Sequence, residues 1–275
     1  MISNKPLVSV IMATYNEKPN IIKSSIQSIL DQSYSNFELL IFDDSTNVET
    51  KSAIDDMSKD SRVCVYREST RVGFVESLNK GLKKAQGDFI ARMDGDDFAL
   101  RERLEKEVSF LLTHKNIMVV GGQMDIMDEH DNIVSHRNYP ERGIKLWLFS
   151  CYRNPLAHPT VMMRSKIVDR GYLYNEKLKM SEDLDFWLRL MNDGYKIANL
   201  PDTVLRFRVQ SDFINKRVNE KQRMYMSKVR KMNFRTKHPV HGVLSVVAGW
   251  IFTHISAESI KTMYKNCLLY TSPSP

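Results

Sequence analysis

Cysteine is scarce in this chain, and the few cysteines do not form a recognisable site. Cys64, Cys151 and Cys267 are odd in number and far apart, without the close spacing that zinc sites and redox pairs require. We therefore expect reduced structural thiols, and the spacing argues against a disulfide framework or a metal centre built on sulfur.

Long apolar runs are also missing. The chain has no charge-free run of about 18 apolar residues, the length that a membrane-spanning helix needs. The nearest approach is the stretch VLSVVAGWIF, residues 243–252. The N-terminal MISNKPLVSV lacks the basic region and long apolar stretch of a secretory signal. These absences lead us to expect a cytoplasmic protein.

Basic residues outnumber acidic residues by 40 to 33, which gives a formal net charge of +7. A positive charge suits nucleic acid, acidic lipid or anionic small molecules, and net charge alone does not choose among them. The chain has no base-reading module and no interleaved aromatic and basic residues, so we expect no nucleic-acid partner. Nine of the basic residues lie within residues 216–237, beside a single acid.

Apolar patterns of two kinds alternate over the first part of the chain. Runs rich in β-branched residues predict buried strands at residues 7–13, 37–42, 63–66 and 89–93. Helical periodicity separates these strands and continues at residues 102–113, where one predicted face carries Leu104, Val108, Leu111 and Leu112. Strands and helices in alternation predict an α/β fold with a doubly wound, mostly parallel sheet.

The alternation weakens after residue 115. We predict a strand at residues 117–127, a short strand at residues 160–163 and a helix at residues 182–193. Ser181 precedes that helix and is its predicted N-cap. The basic run and the apolar stretch described above predict a helical C-terminal extension.

Polar residues follow three of the predicted strands where each strand ends. Thr14, Tyr15 and Asn16 follow the first strand, Asp43 and Asp44 follow the second, and the run DGDD (94–97) follows the fourth. Ligands of such sheets bind outside the carboxyl ends of the strands. We therefore expect the three stretches to converge at one edge of the sheet.

The run DGDD is the strongest chemical signal in the chain. Three like charges in four positions repel one another unless a cation compensates them. Asp94 and Asp96 suit Mn²⁺ or Mg²⁺, because hard cations prefer carboxylate oxygen and are often held by one or two carboxylates together with substrate phosphates. The alternative is an acidic turn, in which Gly95 takes a positive φ and Asp97 begins a helix.

Five segments of the chain, taken together, resemble the bacterial family 2 glycosyltransferases in both order and spacing. The segments are VSVIMATYNE, FELLIFDDS, LNKGLKKAQGDFIARMDGDD, HPTVMMR and SEDLDFWLRL, and the resemblance covers residues 7–210. It implies a GT-A fold, whose Rossmann-like, mostly parallel central sheet is flanked by helices. It also implies an inverting transfer of a sugar from a nucleoside diphosphate sugar, with a UDP-sugar as the expected donor and Mn²⁺ or Mg²⁺ as cofactor.

The resemblance also implies roles for the residues that bind the donor. Tyr15, flanked by Thr14 and Asn16, would stack on the base, and Asp44 would accept a hydrogen bond from uracil. Asp96 would be the main metal ligand, and Asp94 would contact the ribose or the waters of the metal. Arg92 and Arg103 flank the acidic loop, where they would reach phosphate or, as we rank first, pair with its aspartates. One of Asp43 and Asp44 is expected to cap the following helix instead.

The catalytic residues implied by the resemblance lie later in the chain. Asp183 would be the base that removes the proton of the acceptor hydroxyl, and Glu182 would contact or orient the acceptor. The alternative for both is structural, since acids in the first turn of a helix interact favourably with its dipole. His158 would line the acceptor site or serve as a hydrogen-bonded structural histidine.

Two positions depart from the pattern of the family. The chain has Gln210 where the family commonly has histidine, so that Arg206 or Arg208 would have to supply the missing contact. It has Gly95 where alanine is usual, which is expected to loosen the acidic turn.

We divide the chain accordingly. Residues 1–115 form the predicted nucleotide-sugar-binding half, residues 116–212 the acceptor-binding half, residues 213–270 a basic and amphipathic helical extension, and residues 271–275 a disordered tail. The segment 216–252 is the predicted contact with an anionic membrane surface, which would make the protein peripheral at the inner face of the plasma membrane.

The expected activity is transfer of a sugar to a saccharide or lipid-linked acceptor in the biosynthesis of a bacterial surface polysaccharide. A catalytically inactive nucleotide-sugar-binding or scaffold protein of the same fold is the alternative. A nucleotidyltransferase is disfavoured, because TYNEKPN has no glycine with which to form a phosphate-binding loop. The transferred sugar, the linkage and the oligomeric state are not predicted by the sequence.

Overall fold

The computed structural model describes residues 5–178, 180–209, 220–234, 238–256, 258–259 and 262. Within these ranges, nine strands form one sheet. In chain order the strands are β1 (Val8–Thr14), β2 (Phe37–Asp43), β3 (Val63–Tyr66), β4 (Phe89–Asp94), β5 (Phe98–Ala99), β6 (Ile117–Met127), β7 (Ile133–Arg137), β8 (Met162–Arg164) and β9 (Lys196–Arg208).

Helices cover both faces of this sheet. In chain order they are α1 (Pro19–Leu30), α2 (Val48–Met57), α3 (Phe74–Lys84), α4 (Arg103–Thr113), α5 (Gly143–Ser150), α6 (Lys166–Asp169), α7 (Glu182–Asn192), α8 (Glu220–Met232) and α9 (Pro239–His254). A turn of 3₁₀ helix, His158–Thr160, precedes β8. No helix in the described part of the chain combines the length and the apolar character needed to cross a membrane.

The sheet order is β3-β2-β1-β4-β8-β6-β9-β5, and β7 pairs with β6. The first four strands of this order are all parallel, which confirms the α/β fold predicted from their apolar runs. Beyond β4 the sheet is mixed, because β8 runs antiparallel to both β4 and β6, whereas β6 and β9 are parallel. One continuous sheet therefore spans the predicted boundary between residues 115 and 116, and the division into two halves stays a prediction.

The strands near the middle of the sheet are apolar on both faces because helices pack on both sides. Val8, Val10 and Met12 of β1 pack with Ile22 and its neighbours in α1. Ile11 points to the opposite face, where α3 and α7 contribute the second apolar cluster. Burial on both faces explains why β1 is a continuous apolar run without polar alternation.

Several details of the predicted helices and strands are wrong. Leu112 is 48% exposed, because the buried stripe of α4 is Leu104, Val108 and Leu111 and the next position turns away from the sheet. Ser181 precedes α7 with a left-handed φ of 61°, and its side chain makes no capping hydrogen bond. The predicted strand 160–163 begins only at Met162, because the 3₁₀ turn occupies the preceding residues.

The C-terminal extension is helical where the structure describes it. Helix α8 lies within the basic run, and α9 contains the apolar stretch 243–252. Residues 210–219, which include Gln210, and the tail 271–275 lie outside the described residues.

Candidate active site

The carboxyl ends of β1, β2 and β4 lie side by side. In the parallel register Thr14 is opposite Asp43, and Ala13 is opposite Asp94. The predicted convergence of three polar stretches at one edge of the sheet is therefore confirmed. This edge is formed by the ends of adjacent strands, so its geometry is set by the backbone register.

The acidic loop after β4 brings three carboxylates together. Oxygen atoms of Asp94, Asp96 and Asp97 all lie within 4.8 Å of one another. Burial and the charge of Asp94 raise the pKa of Asp96 to about 6. Burial and the charges of both neighbours raise the pKa of Asp97 well above its usual range. A hard divalent cation is the ligand that this set of oxygens fits, since it would relieve the repulsion.

Backbone contacts hold this loop in place. The backbone N–H of Arg208 donates to Asp97 Oδ1 at 2.9 Å, and Arg208 Nε donates to the carbonyl oxygen of Asp96 at 3.0 Å. Asp97 Oδ2 is buried and has no hydrogen-bond partner among the described residues, so one buried carboxylate oxygen stays available to a cation. Arg208 thus binds the acidic loop through two hydrogen bonds, and its compensation for the absent histidine stays a prediction.

The proposed acidic-turn alternative is wrong in its details. Gly95 is not among the glycines with positive φ, and the loop leads into β5 rather than a helix. A Cβ atom at residue 95 would lie 3.0 Å from Ile22 Cδ1 and 3.2 Å from the carboxylate of Glu17. Glycine at this position therefore permits a close approach of the acidic loop to Glu17.

Glu17 is a residue of the site that was not predicted. Its carboxylate oxygens accept the backbone N–H of Tyr15 at 2.9 and 3.0 Å. Burial raises the pKa of Glu17 to about 7, and the charges of Asp96 and Asp94 add to the effect. The only signal in the sequence was the glutamate of the TYNE segment itself, which had no assigned role.

The residues after β1 have two different surroundings. Tyr15 is 42% exposed, and the guanidinium carbon of Arg71 lies 3.6 Å from the centre of its ring. Asn16 has a left-handed φ of 60°, and its Oδ1 accepts the backbone N–H of Thr46 at 2.8 Å. Tyr15 is therefore partly exposed with Arg71 over its ring, whereas the Asn16 side chain connects the loops after β1 and β2.

Neither aspartate after β2 caps the following helix, so that prediction is wrong. Asn47 caps α2, since its side chain accepts the backbone N–H of Thr50 at 2.8 Å. Asp43 is buried and accepts hydrogen bonds from Arg67 Nε at 2.6 Å and from the hydroxyl of Thr14 at 3.3 Å. Although burial raises the pKa of Asp43, the hydrogen bonds from Ser45 and Arg67 outweigh it and lower that pKa.

Asp44 lies closer to the surface than Asp43 and faces the start of α3. It accepts the backbone N–H of Gly73 at 2.7 Å and that of Val72 at 3.3 Å. Gly73 has a φ of 93°, a backbone conformation that glycine adopts without steric cost. Asp44 therefore connects the end of β2 to the loop before α3, at the edge where the donor is expected.

A cavity of about 430 Å³ adjoins this edge. Several parts of the chain line it. Strand β4 contributes Arg92 and Asp94, the start of α7 contributes Glu182 and Asp183, and α8 contributes Arg223, Met226, Ser227 and Arg230. Of the predicted site residues, those that meet around this space are Arg92, Asp94, His158, Glu182 and Asp183, whereas Thr14, Tyr15, Asn16, Asp44 and Asp96 are not among the residues that line it.

Arg92 is buried at one end of the cavity. Its Nη2 donates to Asp94, which is the ion pair that the sequence analysis ranked above contact with phosphate. Its guanidinium lies 5.4 Å from the centre of the Phe74 ring. Nε and Nη1 have no hydrogen-bond partner among the described residues. The same prediction is wrong for Arg103, which pairs with Glu107 at 3.1 Å, because it points into the core beneath α4.

Glu182 and Asp183 begin α7 and have different partners. Asp183 Oδ1 accepts the backbone N–H of Leu184 at 2.7 Å, and Asn154 Nδ2 donates to Asp183 Oδ2. Burial and the charge of Asp183 raise the pKa of Glu182 to about 7, against the opposing effect of Arg92. The arrangement offers one carboxylate oriented by two N–H donors, beside one carboxyl whose pKa is raised towards neutral pH.

His158 lines the cavity and is also part of the aromatic core. Its Nε2 lies 2.8 Å from the hydroxyl of Tyr174, and its ring makes an edge contact with Trp187. Burial and the charge of Arg92 lower the pKa of His158 well below its usual value, so the ring is neutral. Both expectations for this residue, a hydrogen-bonded structural histidine and a lining residue of the cavity, fit its position.

A mixed α/β sheet with an aspartate loop at the end of a central strand, facing a pair of acids across a cavity, defines a glycosyltransferase of the GT-A class. The family model for glycosyl transferase family 2 matches residues 9–172. This match covers more than half of the chain, and the chain therefore belongs to that family.

Relatives cover most of the chain. The putative glycosyltransferase EpsE of Bacillus subtilis is 36% identical over 219 residues, which are 77% of this chain and 76% of the relative. The amylovoran biosynthesis glycosyltransferase AmsE of Erwinia amylovora is 30% identical over 213 residues, which are 77% of this chain and 79% of the relative.

Solved structures have the same fold. TarS of S. aureus in complex with UDP-GlcNAc has a TM-score of 0.71 at 20% identity, over 94% of this chain and 77% of that one. The mannosyltransferase PcManGT from Pyrobaculum calidifontis, in complex with GDP-Man and Mn²⁺, has a TM-score of 0.68 at 17% identity, over 98% and 82%. The predicted GT-A fold is confirmed by these similarities.

Proposed function

We propose that this protein is a metal-dependent, inverting glycosyltransferase that transfers a sugar from a UDP-sugar to a saccharide or lipid-linked acceptor. The observation that carries the proposal is that Asp94, Glu182 and Asp183 line one cavity. A donor held at the acidic loop and an acceptor held at the start of α7 would therefore meet in the same space. The name of AmsE supports a role in the biosynthesis of a bacterial surface polysaccharide.

The donor would bind across the ends of β1, β2 and β4. The exposed ring of Tyr15 is available to stack on the base, and Asp44 has carboxylate oxygens that can accept a hydrogen bond from uracil. Thr14 and Asn16 would act by holding the two loops, since their side chains already contact Asp43 and Thr46. The relatives that bind UDP-GlcNAc and GDP-Man support a nucleoside diphosphate sugar as the donor.

The metal would be held by the acidic loop. Asp96 is the proposed main ligand and Asp94 the second, and Asp97 lies close enough to contribute an oxygen. A bound Mn²⁺ or Mg²⁺ supplies positive charge where the leaving diphosphate becomes more negative. Arg92, which holds Asp94 and has two further nitrogen atoms without described partners, would orient this ligand and stabilise the same charge.

Asp183 is the proposed catalytic base. It would remove the proton of the acceptor hydroxyl while that oxygen attacks the anomeric carbon from the face opposite the diphosphate. The bond between the anomeric carbon and the diphosphate oxygen breaks as the new bond forms, so the configuration at that carbon inverts. The N–H donors of Leu184 and Asn154 would keep the carboxylate oriented, and Glu182 and His158 would position the acceptor.

The metal-dependent donor site is tested by calorimetric titration of UDP and GDP, with and without Mn²⁺. We expect Mn²⁺-dependent binding of UDP in the parent protein and its loss in Asp96→Ala. The matched control is Asp169→Ala, which removes an exposed aspartate of α6 and should bind as the parent does. Binding that does not depend on the metal, or that survives in Asp96→Ala, would contradict the proposed site.

The catalytic role of Asp183 is tested by comparing transfer with donor binding. Asp183→Asn keeps the shape of the side chain but cannot accept the proton, so turnover should fall by about 100-fold to 10,000-fold, the usual contribution of a general base. Donor binding should stay unchanged, and Asp169→Asn serves as the control. Failure of the parent protein to turn over any UDP-sugar or GDP-sugar would favour the scaffold alternative.

Peripheral attachment to the inner face of the plasma membrane is proposed for the segment 216–252. Its described part carries Lys228 and Lys231 on α8, beside the exposed Trp250 of α9. Lysines attract anionic lipid, and tryptophan favours the boundary between water and lipid. Such a contact would bring the cavity close to a lipid-linked acceptor.

A further inference from the structure

Helix α8 presents one continuous stripe to the cavity. Arg223, Met226, Ser227 and Arg230 all line it, at the spacing of i, i+3, i+4 and i+7 that places residues on one helical face. Two arginines of the basic run are therefore directed inward, whereas Lys228 lies exposed on another side of the helix. Arginines facing the cavity do not serve the proposed membrane contact, and they need a different explanation.

Arg230 is a buried cation without an acidic partner in the described part of the chain. Only 2% of the residue is exposed. Its Nη1 donates to the carbonyl oxygen of Ser150 at 2.8 Å and to the hydroxyl of Ser245 at 2.9 Å, and its Nη2 has no described partner. Burial lowers the pKa of Arg230 to about 10, so the group is still charged near neutral pH. A buried charge that meets only neutral groups is costly.

Arg223 lies about two turns earlier on the helix and has similar surroundings. Its Nη1 donates to the carbonyl oxygens of Phe252 at 3.1 Å and Ile255 at 2.7 Å. Its Nε is buried and has no partner among the residues described. Both arginines are thus held in position by neutral oxygens, which orient the guanidinium groups, and no acid of the described residues forms an ion pair with either of them.

The two arginines are separate from the charges of the catalytic centre. Arg92 belongs to β4 and pairs with Asp94, whereas Arg223 and Arg230 belong to α8 and donate their hydrogen bonds to other partners. All three arginines line the same cavity. The wall formed by α8 is therefore a second positive region, distinct from Arg92 at the donor end.

We propose that Arg223 and Arg230 form a subsite for a phosphate group of the acceptor substrate. Guanidinium groups bind phosphate through paired, charge-assisted hydrogen bonds, and the unpartnered nitrogen atoms of both residues are available for such bonds. This inference rests on the proposed function, because it assigns the α8 wall to the acceptor. The phosphate would belong either to a lipid-linked acceptor, whose chain could reach the apolar face of α9, or to a water-soluble phosphorylated saccharide.

The subsite is tested by phosphorus NMR titration of the full-length protein with two probes, dodecyl phosphate and glycerol phosphate. Both titrations are done in EDTA, so that no divalent cation at the acidic loop binds the phosphate. We expect saturable binding of a phosphate probe to the parent. Arg223→Gln and Arg230→Gln should each weaken it by about 10-fold or more, which is the effect of losing one hydrogen bond to a charged group.

Two controls separate loss of the subsite from loss of the fold. Arg170→Gln removes an exposed arginine that directly follows α6 and should leave phosphate binding unchanged. Arg230→Lys keeps the positive charge and should retain part of the phosphate affinity. If Arg230 had only a structural role, Arg230→Lys and Arg230→Gln would lower the thermal stability equally. If Arg230→Gln does not fold, Arg223→Gln decides the question, since Arg223 is only half-buried.

The outcomes also distinguish the two sources of the phosphate, and they separate failure of the phosphate subsite from failure of the donor site. Tighter binding of dodecyl phosphate supports a lipid-linked acceptor, and equal binding of both probes supports a water-soluble one. No binding of either probe, or equal binding by the parent and both glutamine variants, overturns the subsite. Asp96→Ala should not affect binding of these probes, so failure of the donor site and failure of the phosphate subsite are separate results.

Discussion

Glu182 and Asp183 are neighbours in the chain, but their surroundings give them different properties. Asp183 receives two N–H donors, from Leu184 and Asn154, and such donors favour the ionised form of a carboxylate. Glu182 has its pKa raised to about 7 by burial, with the charge of Asp183 adding to the effect. Burial and the charge of Asp183 therefore favour the protonated form of Glu182, whereas two N–H donors orient the carboxylate of Asp183, and this difference fits the division of roles that we propose for the acceptor.

The raised pKa of Glu182 predicts a dependence of stability on pH. The folded state holds a proton on Glu182 that the unfolded state has already lost, so its stabilising effect is complete below about pH 4.5 and is lost as the pH rises through about 7. Within that window, this residue alone lowers the free energy of unfolding by at most about 1.4 kcal/mol per pH unit. Urea denaturation at several pH values between these limits measures the change.

Glu182→Gln isolates this contribution from the other ionisable groups. Glutamine does not ionise, so the variant should gain stability relative to the parent as the pH rises through the window. Buried His158 has a lowered pKa and acts with the opposite sign, but it is present in both proteins and cancels in the difference. A constant difference between parent and variant at all pH values would show that Glu182 has an ordinary pKa.

Residues that act through their position along the chain were predictable, and those that act through distant contacts were not. Asp94 and Asp96 follow a recognisable strand, so their place at the sheet edge follows from the pattern. Glu17 gains its role from contact with a loop almost eighty residues later. The same holds for Asn154, whose loop packs against the first turn of α7 and brings its side chain to Asp183, and no local pattern indicates such a contact.

At the scale of elements, α9 exposes an apolar face and buries small residues. A surface helix usually does the reverse, with its apolar face against the core and its polar face in water. Gly242, Ser245 and Gly249 face inward, where small side chains allow close contact with Phe234 and α8. The exposed face is apolar and consists of Val240, Val243, Leu244, Val247, Trp250 and Ile251. The apolar stretch was apparent in the sequence. Which of its faces is exposed was not apparent, because the small residues of α9 pack against α8 and that contact is seen only in the structure.

This exposed face predicts binding to anionic membranes. Vesicles that contain phosphatidylglycerol should carry the protein upward in a flotation gradient, and vesicles of phosphatidylcholine alone should carry much less. Val247→Ser with Trp250→Ser removes two apolar groups from the face and should abolish flotation. Added salt should weaken binding, because each lysine near an anionic surface contributes about 1 kcal/mol that salt screens.

The control for that experiment is Val48→Ser, which removes an exposed valine of α2, remote in sequence from the C-terminal helices. It should float as the parent does. Flotation that is the same for the double variant and the parent would exclude α9 as the membrane contact. Self-association of the parent without vesicles, lost in the double variant, would instead assign the face to a second copy of this chain.

At the scale of the whole molecule, the cavity exists only because three distant parts of the chain return to the same place. The edge formed by β1, β2 and β4 follows from the general rule for parallel sheets, so the donor side was predictable. The opposite side depends on α7, whose first residues line the cavity, and on α8, which packs against α7. The sequence predicted these as separate elements, and their assembly around one space depends on tertiary contacts.

Asn233 follows α8 and makes hydrogen bonds to α7, so it allows the integration of the C-terminal helices with the rest of the fold to be tested. Its Nδ2 donates to Asp185 Oδ1 at 2.8 Å, and its carbonyl oxygen accepts Asn192 Nδ2 at 2.8 Å. The Asp185 side chain is only 3% exposed. Asn233→Ala should therefore cost about 1–3 kcal/mol, since it leaves a buried carboxylate oxygen without this donor.

Loosening α8 should affect the acceptor more than the donor. In Asn233→Ala we expect a lower melting temperature and a higher KM for the acceptor, because α8 carries one wall of the cavity, whereas Mn²⁺-dependent UDP binding at the sheet edge should be unchanged. Asn116→Ala, an exposed asparagine, is the matched control and should change neither quantity. Equal weakening of donor and acceptor binding in Asn233→Ala would mean that the whole domain loosens together. Unchanged stability would mean that α8 and α9 are not an integral part of the catalytic domain.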